Sequence, residues 1–157
     1  QAFPVFILAM VLVALSGRNL TNLIFALTFL YTPIFIRLTR AEVLTQRERS
    51  YVEAARAAGH SDFKIALKHV LPNSLTPSLI QLSVTVGFGI LLTAGLSFVG
   101  AGVRPPNPEW GLMIANSAPQ LVLGEWWTSL FPGIAVSLTV VGFAALSNAI
   151  ERRVATS

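Results

Sequence analysis

The chain has 157 residues, of which 54% are hydrophobic and 11% charged, with a formal net charge of +4. A soluble domain carries about 25% charged residues; here the charges cluster between long apolar runs, which excludes an ordinary globular core and indicates a membrane-embedded chain. The absence of cysteine excludes a disulfide framework, a zinc–thiolate site and a thiol nucleophile.

The opening, "QAFPVFILAMVLVALSG", is apolar from its third residue. It lacks the basic region and small-residue cleavage site of a secretory signal, so it is read as a membrane helix entered part-way, with a span over 3–16. A second span over 20–36 lies in an 18-residue charge-free run between Arg18 and Arg37, which as a helix covers roughly 27 Å. Pro33 near its end is a candidate kink.

Residues 37–73 hold nearly all the soluble-looking sequence. From 41 to 58 no Gly or Pro occurs, which favours one helix, and Arg49 and Glu53 are spaced to pair at i,i+4. Ala54, Ala55, Ala57 and Ala58 leave a smooth surface for close approach, and Gly59 ends the helix as a residue able to turn left-handed. Ser61 then stands as an N-cap with Asp62 in the first turn. Phe63, Ala66, Leu67, Val70 and Leu71 follow the pattern of one apolar helical face, before Pro72 and Asn73 break it. Charge and periodicity allow this segment to be a connector lying on anionic headgroups. A connector needs only a few residues, however, so two hinged helices fit better as a docking surface for a cytoplasmic partner.

A third span over 74–100 and a fourth over 128–150 lie in charge-free runs long enough to cross a bilayer, with Pro77 and Pro132 expected in first turns, where the missing N–H costs little. Between them, residues 101–127 form a loop stiffened by Pro105, Pro106 and Pro108, with Trp110, Trp126 and Trp127 suited to a membrane–water interface. A short helix over 114–123 is expected to lie near that interface. All four spans should be helical, because lipid offers backbone amides no other partner. The fold class is therefore an all-α integral membrane protein, a single membrane domain over 1–157 with no internal repeat. Nine basic residues fall in 37–73 and the C-terminal tail, against Arg18 and Arg104 on the opposite side. The positive-inside rule places the charged loop and the C-terminus in the cytoplasm.

"EAARAAG" from Glu53 to Gly59, followed by Leu71–Pro72 twelve residues after the glycine, resembles the EAA loop of permease subunits in ABC importers. The family pattern is Glu-Ala-Ala, three residues, Gly, nine residues, then Ile-x-Leu-Pro. Glu53, Ala54, Ala55, Gly59, Leu71 and Pro72 fit it, while His69 stands where the general pattern has Ile. That departure is similar to the "RHILPN" form of the dipeptide, oligopeptide and nickel branch. "LSFVGAGVRPPNPEWGLMI" and "LFPGIAVSLTVVGFAALSNAI" resemble the second permease type of the same branch.

The resemblance covers essentially the whole chain. It implies the last four helices of a six-helix bacterial inner-membrane permease, paired with a second permease, two cytoplasmic ATPases and an extracytoplasmic solute-binding protein. ATP and Mg would sit on the partner ATPases, so no cofactor is expected here, and no nucleic acid among the partners. The resemblance implies that Glu53, Ala54, Ala55 and Gly59 carry ATPase docking, with Phe63, Leu67, Leu71 and Pro72 in the second coupling helix. Transport of di- or oligopeptides follows as the expected function, nickel being the lesser option.

An enzyme is disfavoured: no P-loop occurs, and no ionisable Asp, Glu, His, Lys or Arg falls within a predicted span. His60 and His69 have no ligand cluster around them in sequence, and metal binding is not expected. The alternative is an ion-coupled secondary transporter or a channel subunit. "TVGFGILLTAG" over 85–95 would then be a broken helix, although its glycines suit close helix packing better. Gln81, Thr85, Thr93 and Ser97 are the candidates for lining a pathway, with interhelical hydrogen bonding as the competing role.

Overall fold

The computed structural model describes residues 4–155; Phe3, where the first predicted span begins, and the ends of the 1–157 range lie outside them. Nine α-helices and one π-helical turn are formed among the described residues, and no strand. Three helices are long and apolar enough to cross a membrane: α2 (Leu20–Gln46), α6 (Thr76–Phe98) and α9 (Trp127–Ala155), the last over Trp127–Arg153. The chain is an all-α, multi-pass membrane protein. The helix on the first predicted span, α1 (Val5–Ser16), is apolar but only 12 residues long.

α1 and α2 form a hairpin across Gly17. Asn19 caps α2, its Oδ1 accepting from the Asn22 N–H at 2.8 Å, and the Asn22 side-chain amide donates back to the Ser16 and Gly17 carbonyls. The hairpin buries Ala9, Val13, Leu23 and Ala26 with Leu96 of α6 and with Ala101 and Val103 beyond it. Such contacts gain from close packing rather than from leaving water, since lipid is as apolar as the core. Accordingly Leu15, Phe25, Phe29 and Leu138 stay outward at no penalty in hydrocarbon. Hydroxyls on the spans, such as Thr28, Thr32 and Thr139, donate to the carbonyl four residues back, the local bond open to them in lipid.

α6 and α9 pack along their length. A Cβ on Gly87 would touch Phe143, and Ser147 Oγ donates to the Ile80 carbonyl at 3.2 Å. α6 runs unbroken through Gly87, Gly89 and Gly95. Gly87 and Gly95 face close neighbours, Phe143 and the Phe6 ring, so these glycines serve packing rather than a midplane break.

The 101–127 segment differs from the expected surface loop. Ala101, Gly102 and Val103 are buried, and Gly102 sits so close to Ser97 that a side chain there would overlap it. Helix starts at Trp110, four residues before the predicted 114, and is divided at Ser117 into α7 (Trp110–Asn116) and α8 (Ala118–Val122). Gly111 presses on the Ala94 carbonyl and Ser117 Oγ lies 2.5 Å from Ser129 Oγ, which holds α7 against α6 and α9. Pro132 falls in the second turn of α9 rather than the first.

The charged region also departs from a single 41–58 helix. α2 continues through Pro33 and past the span to Gln46; the chain turns over 47–49, with Arg49 extended, and restarts as α3 (Ser50–Ala57). The turn brings Val52, fully buried, against Ile65, Val70, Val43 and Ala55, and that burial outweighs local helix propensity. With Arg49 outside the helix, the expected Arg49–Glu53 pair gives way to Arg56 Nε with Asp62 Oδ1 at 3.7 Å.

Candidate functional site

Gly59 closes α3 with φ +79°. Its N–H donates to the Arg56 carbonyl at 2.9 Å and that of His60 to the Ala55 carbonyl at 3.2 Å, the paired bonds of a Schellman motif. Ser61 stands at the next N-cap position with extended backbone but no side-chain capping bond. The following helix is continuous from α4 (Asp62–Ile65) through a π-helical turn (Ala66–Val70) to α5 (Leu71–Ser74).

That π turn resets the faces. It inserts an extra residue into the inward row, so Ile65, Val70 and Ser74 are the buried positions. Of the predicted apolar face only Val70 turns inward. Phe63, Leu67 and Leu71 form an outward row four residues apart, at 76%, 50% and 38% exposure. Glu53, Ala54, Gly59 and Pro72 are also exposed, while Ala55 is half-buried beneath them. The row is apolar, faces outward and lies in the most charged part of the chain.

A polar strap, which sequence patterning missed, ties the segment to the long helices. Gln46 Nε2 donates to Glu42 Oε1 at 2.8 Å, and Tyr51 Oη donates to Gln46 Oε1 at 2.7 Å. Asn73 Nδ2 reaches Tyr51 Oη at 3.5 Å and the His69 carbonyl at 2.7 Å, while Thr39 Oγ1 bonds Ser78 Oγ at 2.8 Å. The strap joins α2, α3, α5 and α6. The legible trace of it is a Tyr at the start of α3 and an Asn just after the Leu-Pro pair. His60 and His69 stack with centroids 6.2 Å apart, and among the described residues no cluster of three metal-ligating side chains occurs.

A second feature is a cleft between α2 and α6. It has two connecting parts of about 580 and 430 Å³ that share Leu27, Val86 and Gly89. Tyr31, Thr28, Thr32 and Thr85 line one part; Thr93, Glu109 and Trp110 line the other. Of the four predicted pathway residues, Thr93 and Thr85 reach the cleft, and Gln81 Nε2 donates to Thr85 Oγ1 at 3.2 Å. Ser97 does not: it is 1% exposed, under Gly102, with no hydrogen-bond partner for its Oγ among the described residues.

The family model for the binding-protein-dependent transport system inner membrane component matches residues 1–156. The chain belongs to this family. Members are transport components rather than enzymes. Among its relatives is the dipeptide transport system permease protein DppC of Alkalihalophilus pseudofirmus, 40% identical over 150 residues, which are 96% of this chain and 49% of that protein. DppC of Escherichia coli K12 is likewise 40% identical over 150 residues, covering 96% of this chain and 50% of the relative. The chain thus spans about half the length of these relatives.

Proposed function

We propose that the chain is part of the permease subunit of an ATP-driven importer for di- or oligopeptides, with nickel the less favoured cargo. It contributes four membrane spans, over 3–16, 20–36, 74–100 and 128–150, to a six-helix permease, and the C-terminus lies in the cytoplasm. Its partners are a second permease, two cytoplasmic ATPases and a solute-binding protein. The relatives' names support the peptide class.

The observation that carries the coupling role is the exposed row Phe63, Leu67 and Leu71, set on a segment whose own core of Val52, Ile65 and Val70 is already complete. A finished small core beneath an apolar outward row leaves that row for a partner. Glu53, Ala54, Ala55 and Gly59 form the other half of the docking surface, and Pro72 fixes the exit toward α6. The solute path runs along the α2–α6 cleft, with Thr85 and Thr93 on its wall, Gln81 hydrogen-bonded to Thr85 and Ser97 reassigned to packing. ATP-driven closure of the ATPases moves the hinged segment, and the strap through Tyr51 and Asn73 carries the displacement to α2 and α6.

Gly59→Pro tests this reading, because it forbids φ +79° and removes the N–H that bonds Arg56. Radiolabelled dipeptide uptake by cells making the complete transporter should fall to background while membrane insertion is unchanged. Uptake at the wild-type rate would refute the hinge.

A further inference from the structure

The α2–α6 cleft carries one charged side chain. Among the residues lining its two parts, Glu109 is the only Asp, Glu, Lys, Arg or His. It stands half-buried at the end nearest α7, next to Trp110 in sequence, in the part of the cleft that Thr93 also lines. Its extended backbone places it as N-cap of α7, where Oε2 accepts from the Leu112 N–H at 2.7 Å.

Capping does not require the charge, since Ser, Thr or Asn would serve as well. One accepted bond also leaves most of a carboxylate's lone-pair sites open. No ion pair neutralises Glu109 among the described residues. A carboxylate with open lone-pair sites on an otherwise uncharged wall attracts a cation entering the cleft. An aromatic neighbour such as Trp110 favours the same charge.

We propose that Glu109 is a specificity-determining residue that reads solute charge: it favours solutes bearing additional ammonium or guanidinium groups and disfavours additional carboxylates. The proposal rests on the cleft being the solute path. Glu109→Gln keeps an acceptor for Leu112 and removes the charge, while Glu109→Asp keeps the charge.

The test uses proteoliposomes with the complete permease, its partner subunits and the binding protein, supplied with lysyl-lysine, alanyl-alanine or glutamyl-glutamate. For each peptide the variant-to-wild-type uptake ratio cancels the binding protein's own preference. With Glu109→Gln, that ratio should be about tenfold lower for lysyl-lysine than for alanyl-alanine. For glutamyl-glutamate it should equal or exceed the alanyl-alanine value, and Glu109→Asp should restore the wild-type order. Equal ratios for all three peptides, whether from uniform loss or no loss, would overturn the role of Glu109 and leave the solute path standing. Failure of the wild type to carry any peptide would overturn the path reading, and this inference with it.

Discussion

Gly59 and Gly111 both exclude a side chain, for different reasons. Gly59 has open space around it but a left-handed backbone, whereas Gly111 has a neighbour's backbone where a Cβ would go. Only the first was legible in sequence, because an alanine run ending in Gly-His-Ser-Asp spells a helix stop and restart. The second depends on how α7 meets α6, which no local pattern encodes. Gly111→Ala would force the Ala94 carbonyl away and should cost roughly 1–3 kcal/mol or more, as overpacking does. Gly142→Ala, where nothing lies within 4 Å, should be neutral or stabilise α9 by about 1 kcal/mol. Thermal unfolding of the purified complete chain in detergent checks both, and equal melting temperatures for the two variants would contradict the packing account. Phe63, Ala66, Leu67 and Leu71 stay exposed together, but Val70 of the same expected face turns inward. A π turn adds a residue without a sequence signature, so periodicity alone could not separate the inward row from the outward one.

At the level of elements, the three long apolar helices were legible and their ends were not. Charge-free runs located α2, α6 and α9 because hydrocarbon tolerates nothing else. A helix, however, does not stop where the membrane does: α2 passes Arg37 and Arg40 and ends only after Gln46. The break at 47–49 is imposed by burial of Val52, which pairs residues distant in sequence. The same holds for the strap, whose members Gln46, Tyr51 and Asn73 look ordinary one at a time. Tyr51→Phe keeps the ring and removes the hydroxyl that bridges Gln46 and Asn73. We expect a loss of about 1 kcal/mol, read as faster amide exchange over 50–74 with α6 and α9 unchanged. Unaltered exchange in that segment would show that the strap does not hold it.

At the scale of the whole molecule, the two features stand at different places along α2 and α6. The hinged segment is tied to the charged end of α2 through Glu42–Gln46–Tyr51, and Thr39–Ser78 bonds α2 to the start of α6, while the cleft lies further along the same pair. Under the proposed coupling role, a displacement of the outward row would pass to the two helices that bound the cleft. Composition and charge distribution made the membrane class legible, and the Glu-Ala-Ala-to-Gly spacing made the family legible. The cleft was only half legible. Thr85 and Thr93 fell on its wall, but Ser97 turned inward under Gly102, because which face of α6 meets solvent, lipid or protein depends on the packing of α1 and the 101–103 turn.

The central claim is that the outward row of the hinged segment docks an ATPase, and co-purification tests it most directly. The complete chain, co-produced with its partner subunits and extracted in mild detergent, is compared with a Phe63→Asp/Leu67→Asp variant. A Val122→Asp variant, altered at a still more exposed position on α8, serves as the control. The account predicts that the ATP-binding subunit accompanies the wild type and the control, and falls at least about tenfold with the double variant, whose own elution profile is unchanged. Retention of the ATPase by the double variant at the wild-type level would contradict it.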